Sequence, residues 1–454
     1  MKTMFNLNRI AILRNLTKSK SLKKAAIIFP SIFISSHLIK TVRKAYLAPK
    51  PVFDESDKRL LVNIPRLEEM EEGEMKEVKW GVKDNQSILV VKFEGKLHAL
   101  SNYCPHYGAP LHTGVLIDNI VKCPWHGASF DIISGKTDIS PSIDDLPVYK
   151  VETTDNGENF VVLPDKEDVK KFITPLMSKR DPNDKRRFVI IGGGPAGLSA
   201  AETLRQANYT GEILIISKDS ELPYDRTVLS KWVPADVSKI HLRSKDFLTE
   251  YDIDVKTNSS ITAINNKQKS VVLNDGTNLN YDKLLIATGS IANIPPIPGV
   301  DLPHVHSLRS WDDLQKVTEK VPKSNNIVIV GGGFIGLEST AMYKKLNPNA
   351  NITVVEGNDT PFFYTLGREV GGALQKFHES KGINFSLNKG VKSISNDSVT
   401  LADGSTIPAD MILLGTGARP NTVFFNLFCF TFFSFIFYFF VISNIGICKR
   451  YSSY

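Results

Sequence analysis

The sequence predicts a multidomain chain in which a small all-β domain precedes two Rossmann-like α/β dinucleotide-binding folds. Three observations carry this: two Cys/His pairs among short β-rich runs, a strand–glycine turn–helix signature near residue 190, and the same signature about 139 residues later.

The β-rich region spans 58–165. Apolar and β-branched runs at 87–93, 97–100 and 160–163 alternate with Gly, Asn and Pro turns, the pattern of a small antiparallel domain. Inside it lie Cys104-Pro105-His106 and Cys123-Pro124-Trp125-His126. Each half offers one thiolate and one imidazole on a tight loop, which Pro105, Gly108, Pro124 and Gly127 can bend around a metal group. A mononuclear Cys2His2 zinc site uses the same donors. C-x-H paired with C-x-x-H matches instead a [2Fe-2S] centre with two cysteines on one iron and two histidines on the other. The stretches CPHYGAPL and CPWHGASFD closely resemble Rieske ferredoxin domains. The resemblance implies a small all-β Rieske [2Fe-2S] domain with Cys104, His106, Cys123 and His126 as ligands. High-potential members add an inter-loop disulfide, at positions that match Ala109 and Trp125, and two hydroxyls, at positions that match Ala128 and Phe130. Without those hydrogen bonds the reduced cluster is less stabilised, so the expected potential lies toward the low end of the Rieske range, about −150 mV. His98 and His112 read as surface or core histidines.

After a polar linker at 166–184 the pattern becomes βαβ. Phe188-Val189-Ile190-Ile191 runs into Gly192-Gly193-Gly194-Pro195-Ala196-Gly197 and a helix over 198–207. Glycine there permits a tight turn and close approach of a pyrophosphate to the helix N-terminus. The unit recurs as Ile327-Val328-Ile329-Val330 followed by Gly331, Gly333 and Gly336, so one chain is expected to bind two nucleotides. A strand over 351–355 ends in Glu356, placed to take a ribose 2′-OH and repel a 2′-phosphate, which predicts NADH over NADPH at the second site. The first unit lacks a clear acid at that place; Ser217-Lys218-Asp219 makes Asp219 the candidate.

PYDRTVLSK at 223–231, LLIATGS at 284–290, GGGFIGLE and LLGTGARPNT resemble the two-dinucleotide flavoprotein reductases. With the N-terminal domain they resemble the Rieske-bearing apoptosis-inducing-factor-like proteins, over roughly residues 58–422. The resemblance implies an FAD fold over 185–305 that resumes at 410–422, with an NAD fold over 306–409 inserted. With FAD in the first fold, the glycine turn and strand end offer Gly192, Gly194, Ala196, Gly197 and Asp219, and the resemblance adds Arg226, Lys231, Ala287, Thr288 and Gly289. NADH contacts follow from Gly331, Gly333, Gly336 and Glu356, with Lys231 and Glu338 at the reacting rings. From the residues alone, Arg226 and Lys231 read as surface charges and Glu338 as a helix N-terminal acid.

The ends differ from the body. Eleven bases and no acid precede Asp54, the composition of a mitochondrial transit peptide over 1–53; a membrane tether is the rival, and a cytoplasmic location the further alternative. From Val423 to Ile447 nothing is charged, and ten of the 25 phenylalanines fall between Phe424 and Phe440. That length suits a membrane segment, but the abrupt onset and AT-rich codon bias suggest that 423–454 is retained intron, with the FAD site left incomplete. Setting aside these ends leaves 42 bases against 48 acids, so the net +7 does not signal a nucleic-acid surface. Four cysteines without a C-x-x-C exclude a disulfide framework and dithiol chemistry.

The function expected from these parts is an oxidoreductase that passes electrons from NADH through FAD and a Rieske cluster to an unknown protein or small-molecule acceptor. A redox-sensing, pro-apoptotic mitochondrial factor with little turnover is the alternative, and an inactive truncated product the third.

Overall fold

The computed structural model describes residues 52–54, 59–81, 86–164 and 172–422. The expected leader lies almost wholly, and the phenylalanine-rich segment entirely, outside them. No helix among the described residues is long and apolar enough to cross a membrane. The chain divides into two compact units at Pro175–Leu176.

The first unit is all β. Seven antiparallel strands run in the order Val52–Asp54, Arg59–Ile64, Asn159–Leu163, Val148–Thr153, Lys96–Ser101, Ser87–Phe93, Met75–Lys79. Ser87–Phe93 reads as a nearly unbroken apolar run because both of its faces are covered. Leu89 and Val91 face one core, with Leu111, Val121 and Phe130; Ile88 and Val90 face the other, with Val62, Val161 and Leu163. A second sheet of Val115–Ile117, Ile120–Lys122, Ser129–Asp131 and Thr137–Ile139 carries the second Cys/His loop between its middle strands.

The second unit contains one α/β pattern twice. In the first copy Ile253–Lys256, Glu212–Ile216, Arg187–Ile191 and Lys283–Ile286 lie parallel in that order. In the second, Ile383–Ser386, Asn351–Val355, Asn326–Val330 and Met411–Leu414 repeat it, with Val305–His306 added at the edge. Each copy inserts a three-stranded antiparallel meander before its last strand. Each also places an aspartate that accepts a backbone N–H from the start of the glycine-turn strand: Asp282 from Arg187 at 2.7 Å, and Asp410 from Asn326 at 2.8 Å. The copies are joined by the antiparallel pair Ser290–Ala292 and Ala418–Pro420, at the two ends of the inserted fold.

Two details depart from expectation. The helix anticipated from residue 198 starts at Pro195 and ends at Gln206, since proline's fixed φ and missing N–H suit a first turn. The segment that carries the PYDR motif also packs away from its own sheet. Tyr224, Val228, Leu229 and Ile240 share one core with Leu314, Val317, Leu337, Met342 and Tyr343 of the inserted fold. Two nucleotide folds thus share side chains at their junction.

Candidate functional site

Cys104 and Cys123 begin two loops of matching build. In each, the cysteine N–H donates to an alanine carbonyl five residues on, Ala109 at 2.9 Å and Ala128 at 2.7 Å. Each cysteine carbonyl accepts from a glycine four residues on, Gly108 at 2.8 Å and Gly127 at 3.2 Å, with glycine φ of 75° and 76°. Both thiols are buried and unoxidised, while the His106 and His126 rings stand edge to face with centroids 4.9 Å apart. Burial, then repulsion from Cys123, pushes the Cys104 thiol up to about 11. The four donors come as a thiol pair and an imidazole pair, the division that two irons require. Ala128 and Phe130 are fully buried against this site, Ala109 is 1% exposed, and Trp125 is open to solvent. His112 hydrogen-bonds Asn102, and His98 packs on Phe93.

The glycine turns superpose in their chemistry. Gly192 N–H donates to Ile216 O and Gly331 N–H to Val355 O, both at 2.8 Å. At φ of 122° and 106° these two residues leave no room for a side chain: a Cβ would meet Ala287 O at 2.1 Å or Gly415 O at 2.5 Å. Gly197 and Gly336 pack equally closely under the turns. Gly194 and Gly333 differ, for a Cβ there would meet nothing within 4 Å. Each caps its helix without a side-chain hydrogen bond, so first-turn N–H groups, with Ala196 exposed among them, face open space suited to a pyrophosphate.

Glu356 follows its strand directly. Its carboxylate accepts from Gly332 N–H at 2.7 Å, Asn358 N–H at 2.9 Å and Asn358 Nδ2 at 2.7 Å. In the first copy the equivalent position is Ser217, buried beneath Gly193, not Asp219. Asp219 stands two residues on and forms an ion pair with Arg226. The surface reading of Arg226 fails: its guanidinium lies over the Tyr224 ring and donates to Tyr224 Oη at 2.9 Å and Arg309 O at 3.0 Å.

Arg309 belongs to no motif. It donates to Ser290 O at 3.1 Å beside Gly289, and burial, then the Arg226 charge, lowers its pKa. Two guanidiniums against one carboxylate leave net positive charge where an anionic cofactor would lie. Thr288 ties the same turn to Asn421 O at 2.9 Å. Lys231 Nζ donates to Thr227 O at 2.7 Å and to Glu338 at 3.1 Å, and Ser230 Oγ donates to the same Glu338 oxygen.

Residues 61–150 match the Rieske [2Fe-2S] domain model and residues 186–429 the pyridine nucleotide-disulphide oxidoreductase model. Apoptosis-inducing factor 3 of Mus musculus is 35% identical over 372 residues, covering 79% of this chain and 60% of the relative. The ferredoxin–NAD(+) reductase subunit of the Pseudomonas putida benzene 1,2-dioxygenase system is 35% identical over 237 residues, 51% of this chain and 57% of its own. Among solved structures, the ferredoxin reductase for the CYP199A2 system from Rhodopseudomonas palustris aligns with TM-score 0.50 and 28% identity, covering 52% of this chain and 60% of that one. The chain spans about 60% of the length of apoptosis-inducing factor 3 from Mus musculus or Homo sapiens. The cofactors of these domains are a Rieske [2Fe-2S] cluster, FAD and NAD. With a Rieske domain ahead of two nucleotide folds, the chain belongs to the pyridine nucleotide-disulphide oxidoreductase family.

Proposed function

We propose that the protein is an NADH-dependent flavoprotein oxidoreductase that delivers electrons through its Rieske cluster to an acceptor protein or small molecule. One contact carries the reading: Lys231, from the segment that resembles the flavin-contacting motif, meets Glu338, the fifth residue of the second glycine-turn helix. FAD, when bound, takes a hydride and gives electrons up singly, which suits a one-electron cluster.

The chain's own residues have separate tasks. Gly192, Gly194, Ala196 and Gly197 receive the FAD pyrophosphate, and Ala287, Thr288 and Gly289 close over the cofactor. Arg226, held by Asp219 and Tyr224, supplies positive charge, and Lys231 keeps an ammonium beside the flavin. Gly331, Gly333 and Gly336 receive the NADH pyrophosphate, while Glu356 takes the ribose hydroxyl and disfavours NADPH. Cys104, His106, Cys123 and His126 hold the cluster. In domain terms, 58–165 carries the cluster, 185–305 with 410–422 the flavin, and 306–409 the nicotinamide. The Lys/Arg-rich, acid-free composition of 1–53 supports a mitochondrial location.

Anaerobic titration of the reconstituted full chain with NADH tests this. The flavin absorbance should bleach and the cluster should then be reduced, with NADPH less effective. A bleached flavin beside an oxidised cluster would overturn the transfer step.

A further inference from the structure

The two ligand loops match inside and differ at their ends. The second is closed by a sheet ladder, since Ile120–Lys122 and Ser129–Asp131 pair with Lys122 opposite Ser129. The first lies between Lys96–Ser101 and the 3-10 turn Leu111–Thr113, with only the isolated bridge Tyr103–Pro110 across it. Asn102 supplies the rest of the closure. Its carbonyl accepts from Leu111 N–H at 2.7 Å and its Oδ1 from His112 N–H at 3.0 Å. Its Nδ2 donates to Ser87 Oγ at 2.9 Å and lies 3.0 Å from His112 Nδ1, which ties the closed loop to a central strand. The residue is 0% exposed. A buried amide with its groups satisfied on both sides of a loop fixes that loop in one geometry.

We propose that Asn102 is the positioning residue for the first ligand pair, holding Cys104 and His106 against Cys123 and His126. This rests on the cluster assignment above.

The test uses the full chain reconstituted anaerobically with iron and sulfide. The native protein should show, when reduced, the rhombic EPR signal of a cluster with two imidazole ligands. Asn102→Ala should shift that signal and the midpoint potential, and lose iron to about tenfold less chelator, the lower end of the affinity cost of removing an outer hydrogen-bond partner. Val62→Ala, in the core on the opposite face of the sheet, should lower the unfolding temperature and leave the signal in place. If Asn102→Ala does not accumulate, Ser87→Ala removes one anchor and should give a smaller change in the same direction. An unshifted signal and native iron loss in these variants would overturn the assignment of Asn102 alone, as would equal effects from Val62→Ala. A native chain without the two-imidazole signal would overturn it together with the cluster reading.

Discussion

Lys231 and Glu338 lie 107 residues apart in sequence and meet at 3.1 Å across the junction of the two nucleotide folds. Lys231 is anchored from behind by Thr227 O, and Glu338 by Ser230 Oγ. A residue on the second glycine-turn helix thus sets the position of a charge that belongs to the first fold. The arrangement depends on the 223–240 segment packing into the inserted fold, since Val228 and Leu229 lie in its core.

The pair is half exposed, so its contribution to stability is small while its contribution to chemistry need not be. Lys231→Ala should leave the unfolding temperature nearly unchanged. It should slow flavin reduction by NADH about a hundredfold, the scale of losing one preorganised charge at a reacting centre. Glu338→Gln should give a smaller loss in the same direction. Stopped-flow reduction at saturating NADH reads both, and native rates in both would remove the pair from the reaction.

Much of this was legible because it depends on short-range patterns. The strand ending at Val355 and the acid after it were anticipated, since an apolar run followed by a turn is a local signal. The four donors were legible because each pair sits within a few residues. What was not legible came from packing between distant segments. Nothing around Arg309 marks it as the partner of Arg226, 83 residues away. Asp219 stands out by its charge, whereas position after the strand decides what faces the glycine turn, and that position is Ser217. Asn102 carries no motif and is revealed only by its hydrogen bonds.

Arg205 is fully buried and has no carboxylate partner in its hydrogen bonds. It donates to the carbonyls of Tyr251, Tyr209, Gly211 and Asp252 at 2.8, 2.6, 2.9 and 2.7 Å, and burial lowers its pKa. These bonds gather the chain between the first glycine-turn helix and the following strands. Tyr209 O keeps a second donor in Ser178 Oγ, so Arg205→Met would strip this donor from the Tyr251, Gly211 and Asp252 carbonyls and should cost about 3–5 kcal/mol, a few times the penalty for one unsatisfied group. Urea unfolding followed by far-UV circular dichroism checks this, with Arg205→Lys recovering part of the loss.

His304 precedes the edge strand of the inserted fold and His306 ends it, and burial lowers the pKa of each. Lys320 faces both; Asp410 lies near His304, and Lys316 and Asp313 near His306. For a base with depressed folded-state pKa, the unfolded chain takes up protons first as pH falls through about 6.5. Stability should therefore be undiminished above that value and decline below it, until the folded-state pKa values are reached. His306→Gln should flatten this decline in unfolding free energy, measured over about two pH units around the unperturbed histidine value.

Phe130 and Ala128 bring an apolar floor to the Cys/His loops, both fully buried and without a hydroxyl. A hydrogen bond to cluster sulfur or ligand thiolate favours the reduced, more negative state, so a floor of this kind holds the potential low. Phe130→Tyr adds one hydroxyl to the same ring and Ala128→Ser adds one at the second loop's end. Each should raise the midpoint potential measured by spectroelectrochemistry, and the double variant should raise it further. The native value is expected toward the low end of the Rieske range, about −150 mV. A native potential well above zero would mean that other donors compensate, and the apolar floor would then not be what sets it.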